Sequence, residues 1–293
     1  MKTGLVVVER VQGRSSVTRC FSKYPLKFIA PKKAAPCTTD AIWIYSLTYG
    51  GGIVSGDCIS CDLIIGDGCT AVFTTQASTK VYKSVGSRCS EQILEVKVGC
   101  DALMVLIPDP VTCFLGARYS QKQIFSVASS SSLLLVDWIT SGRHENGEKW
   151  DFELYKSTNN IITEGHQPLF LDAVLLDHGS SISIAERMQG YQVVAMVVIL
   201  GPKLVHVRHK FQEEVKKLMT EQLYSSFTVN GHHKRTRPDN NKLDFIASCS
   251  VFGPKGVGLV VRITALTTES VYKFLQNQLA SMELSLGAPP YHR

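Results

Sequence analysis

Through the first two-thirds of the chain, short apolar segments are cut off by clusters of Gly, Pro, Asp or Ser before they are long enough to form a helix. The segments 5–10, 17–21, 41–48, 58–65, 71–75, 92–98, 103–107, 121–127 and 133–139 are rich in β-branched, leucine and aromatic residues, and others follow at 150–156, 161–170, 181–185 and 191–200. This rhythm predicts strands, because branched and aromatic side chains suit a pleated, half-buried surface and glycine and proline punctuate it. A sandwich, a barrel or a solenoid would satisfy it, although no strict period marks a regularly repeating solenoid. A chain of 293 residues, 44% of them apolar, can bury a large core. We expect a single domain over 1–293, with a disordered tail at 287–293.

Two helices are predicted near the C-terminus. From Val207 the apolar positions Phe211, Val215, Leu218, Met219 and Leu223 recur every three or four residues, which places them on one helical face. A second stripe (Val271, Phe274, Leu275, Leu279, Met282) follows Thr267, whose hydroxyl can cap the free amides, with Glu269 in the dipole-favoured first turn. Both stripes are expected to pack on the β core. Between them, 230–242 reads as a polar loop.

Charge excludes several functions. The net charge of +6 is scattered apart from Lys234-Arg235-Thr236-Arg237, whereas nucleic-acid binders concentrate basic residues on one face. Charged residues make up 19% of the chain, below the usual ~25%, which suggests surface reserved for partners. The segment 1–13 has no apolar stretch of signal-peptide length, and 193–200 is too short to span a bilayer. A cytoplasmic location with reduced thiols is therefore expected. Cys58 and Cys61 form one CxxC without the second pair a structural zinc site needs, and we expect both to be buried structural thiols.

The densest motif is Gly50-Gly51-Gly52-Ile53-Val54-Ser55-Gly56-Asp57. It lacks the Gly-Lys-Ser/Thr of a phosphate-binding loop, so its glycines read as a sharp turn or a close backbone contact. Asp57, ending that turn, could hold a cation or cap a backbone amide. Asp109 sits in the rigid Ile107-Pro108-Asp109-Pro110 turn. Asp137 interrupts an apolar strand and must be paired there; Arg143 is the expected partner. Neither His206/His209 nor His232/His233 has the Glu or Cys spacing of a closed metal site, and no GxSxG elbow is present.

Taken in order, these motifs resemble the urease accessory protein D family (UreD, also called UreH). The glycine block is similar to its GG-hydrophobic-GD signature. Thr74 to Tyr82, Ile107-Pro108-Asp109-Pro110 with Phe114, Asp137-Trp138-Ile139 with Gly142-Arg143, Gln167-Pro168-Leu169 and Ser183-Ile184-Ala185 resemble later blocks. Their wording is closest to the plant branch. The resemblance implies a mostly β fold of two-layer, β-helix-like stacked sheets with two helices near the C-terminus. It also implies a non-catalytic chaperone that binds apo-urease and the accessory proteins UreF and UreG and assists nickel insertion by conducting nickel through an internal tunnel. No tightly bound cofactor is implied: nickel is in transit, and GTP belongs to the partner GTPase. Asp57, Asp137 and Asp109 are carried over as a transient nickel path, and Gly50, Gly51, Gly52 and Gly56 as a structural motif. In one departure, Gln167 stands where the family usually has an acid, so either Glu164 replaces that acid or the position is dispensable. Two alternatives are an interaction scaffold that holds apo-urease open without passing nickel, and a hydrolase using His144 with Asp137.

Overall fold

The computed structural model describes residues 2–31, 39–179, 181–227 and 243–291, with side chains omitted for 222–227. The expected loop at 230–242, with His232 and His233, lies outside them. Two sheets face each other. One sheet contains β1 (Gly4–Val11), β2 (Arg14–Ser22), β5 (Cys58–Ile65), β8 (Ser90–Val98), β11 (Arg118–Val127), β13 (Leu154–Thr163) and β14 (Pro168–Asp177), in the order β2-β1-β5-β8-β11-β13-β14. The other contains β3 (Leu26–Ile29), β4 (Ile42–Thr48), β6 (Thr70–Thr75), β9 (Leu103–Leu106), β12 (Ser132–Thr140), β15 (Val193–Leu200), β17 (Gly258–Ala265) and β16 (Phe245–Phe252), in the order β3-β4-β6-β9-β12-β15-β17-β16. Short strands β7 (Thr79–Val81) and β10 (Val111–Cys113) extend the second sheet beside β12.

The middle of the molecule is a coil of parallel strands. β5, β8 and β11 each pass through a tight turn into β6, β9 and β12 of the opposite sheet. The amides of Cys69, Ala102 and Ser131 close these turns by donating to the carbonyls of Gly66, Gly99 and Ala128 at 3.1, 3.2 and 3.1 Å. The turns stack: Leu103 donates to Cys69 O and Ser132 to Ala102 O, both at 2.8 Å. Gly99 is required by this stacking, because a Cβ there would lie 2.4 Å from Asp67 Oδ1. The return connections between sheets differ in length, so the coils leave no fixed period in the sequence.

Core residues separate into two layers. Between the sheets, Val6, Leu63, Val96 and Phe125 meet Met104, Leu133, Leu135 and Val198. Behind the second sheet, Val105, Leu134, Val136, Val197 and Val261 meet α2 (Val205–Phe227) and α3 (Thr268–Leu279). That sheet is buried on both faces, which explains the continuous apolar run of β15 (VVAMVVIL). Both predicted helices are present. Val207, Phe211, Val215, Val271, Leu275 and Leu279 are fully buried, and Thr267 Oγ1 accepts from the Ser270 amide at 3.2 Å. Met219, by contrast, is exposed.

Several expectations are corrected. Residues 181–185 do not form a strand; they lead into α1 (Ile184–Met188), where Ser183 and Glu186 make a reciprocal capping box. The segment 161–170 is a hairpin, turned at His166 with φ +58°. Cys58 is exposed while Cys61 is buried, since residues three apart on a strand face opposite ways. In the expected tail, Tyr291 is docked: its hydroxyl donates to Pro108 O at 3.1 Å, its carbonyl accepts from Gln276 Nε2 at 2.7 Å, and its ring sits edge-on to Trp138. A short helix, α4 (Glu283–Leu286), precedes it.

Phe211 packs edge-on against Phe274 with ring centroids 5.7 Å apart. Phe211→Ala should cost about 3–5 kcal/mol, from lost burial plus the cavity left behind. A fall in the urea midpoint with an unchanged slope checks it.

Candidate functional site

At the end of the sandwich opposite the tight turns, the two sheets separate around a cavity of about 190 Å³. One water needs only ~10–15 Å³ of such space. Ile59, Gln92, Gln121 and Gln123 wall it from the first sheet, and Phe73, Leu106, Asp137 and Trp138 from the second.

The first four sequence blocks converge around this space. Three residues of the glycine turn have left-handed backbones: Gly50 (φ +78°), Gly51 (φ +74°) and Gly56 (φ +83°). Gly52 is needed for a different reason, since a Cβ there would stand 2.6 Å from Lys80 O. This close approach lets the Ile53 amide donate to Lys80 O at 2.8 Å, fastening the first block to the second. The second block holds the third: Thr74 Oγ1 donates to Ile107 O at 2.7 Å, and the Asp109 amide donates to Thr75 Oγ1 at 2.8 Å. Trp138 Nε1 donates to Pro108 O at 2.8 Å, and the Arg143 guanidinium lies 4.1 Å from the Phe114 ring centroid, joining the third block to the fourth.

Two of the three candidate acids line the cavity. Asp137 is held by three neutral donors of the facing sheet: Gln121 Nε2 reaches Oδ1 at 2.7 Å, while Ser157 Oγ and Asn159 Nδ2 reach Oδ2 at 2.6 and 2.7 Å. The one Tyr119 hydroxyl proton is offered to Gln92 Oε1 at 2.8 Å, with Gln121 Oε1 farther off at 3.3 Å, and the carboxylate, itself an acceptor, selects Nε2 of Gln121. The expected ion pair with Arg143 does not form. Arg143 pairs with Glu148 five residues on, whose carboxyl it holds below the usual range. Burial instead pushes the Asp137 carboxyl up from its ordinary value of 3.8, against the lowering effect of its three donors, and Asp172 pushes it in the same direction.

Asp109 also lines the cavity, and its Oδ1 accepts from the Tyr272 hydroxyl of α3 at 2.6 Å. Tyr272 borders a second, polar cavity of about 230 Å³ with Ser78, Thr112, Thr140, His144 and Gln192. Ser78 lines both spaces, so the Asp109–Tyr272 pair stands between them. Asp57 is placed differently: it is half-buried and off the cavity lining, and its Oδ2 accepts from the Val54 amide at 3.0 Å. It caps the glycine turn, whose Gly51 reaches the cavity rim. Gln167 and Glu164 are exposed at the β13–β14 hairpin and line neither cavity. His144 bonds Gln192 at 2.8 Å in the second cavity, apart from Asp137 in the first. Among the described residues, no three His, Cys, Asp or Glu side chains cluster as a metal would need, and no helix is long and apolar enough to cross a membrane.

Sequence reasoning missed Gln121, Ser157, Asn159 and Tyr272. Gln121 and Gln123 alternate along β11, as do Ser157 and Asn159 along β13. The outward positions Ser120 and Lys122 are polar too, so alternation could not reveal the inner face.

The UreD urease accessory protein family model matches residues 3–293. This chain belongs to that family. It is 63% identical to urease accessory protein D of Arabidopsis thaliana, over 99% of this chain and 100% of the relative. Urease accessory protein D of Oryza sativa subsp. japonica is 60% identical over 99% and 94%, and UreD of Anaeromyxobacter sp. is 33% identical over 99% and 88%. Membership supports a role in urease maturation, and these relatives carry the name of accessory proteins.

The raised Asp137 carboxyl has a defined effect on stability. The folded state holds this proton more tightly than the unfolded chain. Stability from this group is fully present below 3.8 and is lost as pH rises through the higher folded value. Urea midpoints measured across that window should decline in the parent protein and flatten in Asp137→Asn.

Proposed function

We propose that this member of the UreD family binds apo-urease and the accessory proteins UreF and UreG, and passes nickel to urease through the interior cavity. In this reading it is a chaperone and not an enzyme, nickel is its cargo, and GTP hydrolysis belongs to a partner. The observation that carries the reading is Asp137: a carboxylate lining an interior space with room for several waters, held only by neutral donors. Its charge is solvated but not cancelled, so a hydrated divalent cation in the cavity would find an attractive oxygen there. Nickel binds nitrogen and sulfur ligands tightly, and an interior path works best with ligands weak enough to release the ion. Separate carboxylates at Asp137 and Asp109 have that character. Asp57 serves the path through the turn it caps.

The scaffold reading also has support. On the edge strand β14, Leu171 and Leu175 are exposed on the outward face, and Leu284 of α4 is almost fully exposed. Apolar surface of this kind suits protein partners.

Co-expression with urease and the other accessory proteins separates the two readings. Asp137→Asn keeps the size of the side chain and removes its charge. It should still assemble with its partners, while the nickel content of purified urease falls severalfold. An unchanged nickel content with intact complexes would favour the scaffold. Leu171→Asp together with Leu175→Asp should weaken co-purification of the partners if the scaffold surface is used.

A further inference from the structure

No acidic side chain lines the second cavity. The carboxylates beside its lining residues are already engaged: Asp109 accepts from Tyr272, Glu148 pairs with Arg143 against Gly142, and Glu269 pairs with Lys273. The wall consists largely of hydroxyl groups, from Ser78, Thr112, Thr140, Ser141 and Thr268, with the Gln192 amide beside His144. α3 begins on this wall, at Thr268. Thr267 Oγ1 takes the Ser270 amide of its first turn, while the Thr268 and Glu269 amides have no partner among the described residues. Such amides, together with the helix dipole, favour an anion.

Ser141 makes the same demand independently. It is 2% exposed, and its backbone is committed: its amide donates to Gln192 O at 2.8 Å, and its carbonyl accepts from the Trp150 amide at 2.6 Å. The group it presents to the cavity is therefore its hydroxyl, which has no hydrogen-bond partner among the described residues. A buried hydroxyl left unpaired is costly, and hydroxyl protons, free to rotate, can all turn toward one occupant. At about 230 Å³ the space has room for a small polyatomic ion with water.

We propose that the second cavity binds a small oxyanion, a carboxylate or a phosphate, held by the Ser141 and Thr268 hydroxyls, the Gln192 amide and the first amides of α3. No lysine or arginine lines the wall, so the ion is held by neutral donors, as the Asp137 carboxylate is in the first cavity. Donors of this kind solvate a charge without cancelling it, which suits weak, reversible binding. The site does not depend on the proposed nickel passage.

Thermal midpoints of the purified full chain in sodium phosphate and in sodium acetate, against sodium chloride at equal ionic strength and pH, test this. At least one of the two ions should raise the midpoint saturably, as a ligand of the folded state does. A response to phosphate, to acetate or to both supports the site and identifies which oxyanion it takes. Ser141→Ala removes a hydroxyl that bonds nothing within the described chain, so it should leave the ion-free midpoint unchanged and weaken binding about tenfold. Gln192→Lys should tighten binding severalfold by adding a cation to the wall. Tightening cannot arise from misfolding, so the pair stays informative if one variant is unstable. A change of affinity in the stated direction in either variant supports the site. Parent-like affinity in both variants would place the ion elsewhere and overturn the proposal. No saturable response to either ion would also overturn it and leave the cavity to water.

Discussion

The carboxylate of Asp137 spans the space between two sheets. It starts on β12 and ends among Gln121, Ser157 and Asn159 of the opposite layer, so this charged group ties the two sheets together beside the cavity. Three donors can hold a carboxylate in a partly desolvated place, but they do not neutralise it. The cavity, the polar rows on either side of it and the position of the surrounding motifs all depend on keeping that charge inside. A hydrophobic residue at 137 would let the layers close and would leave three donors without an acceptor.

The first four sequence blocks work as one assembly. Each is fastened to the next by a backbone carbonyl or amide: Gly52 allows Ile53 to reach Lys80, Thr74 reaches Ile107, and Trp138 reaches Pro108. Blocks far apart along the chain thus form a frame of hydrogen bonds to main-chain carbonyls around one end of the coil. α3 and the segment after α4 complete it, since Tyr272 closes on Asp109 and Tyr291 docks on Pro108 beside Trp138. α3 therefore bears on the site as well as on the second core layer. The Asp109–Tyr272 bond lies between the linings of the two cavities.

Most of the fold class can be read from residue pattern. Short branched and aromatic segments between turn residues can do little but form strands, and the stripes beginning at Val207 and Val271 can do little but form helices with one buried face. The glycine block also declares itself, because three glycines in succession are needed only where the backbone turns left-handed or meets another chain segment closely. Asp137 stood out for a physical reason too: a charge inside an apolar strand must have partners.

The sequence could not say which partners those would be. Arg143 is near in the chain and was the natural expectation, yet Glu148 takes it, and the donors to Asp137 come from strands on the other sheet. Local pattern determines strand, turn and helix because those depend on neighbours within a few residues. The inward face of β11, the pairing of Asn159 with Asp172, the separation of Asp57 from the cavity and the docking of Tyr291 depend on register between distant strands, and that was decided only when the two sheets packed.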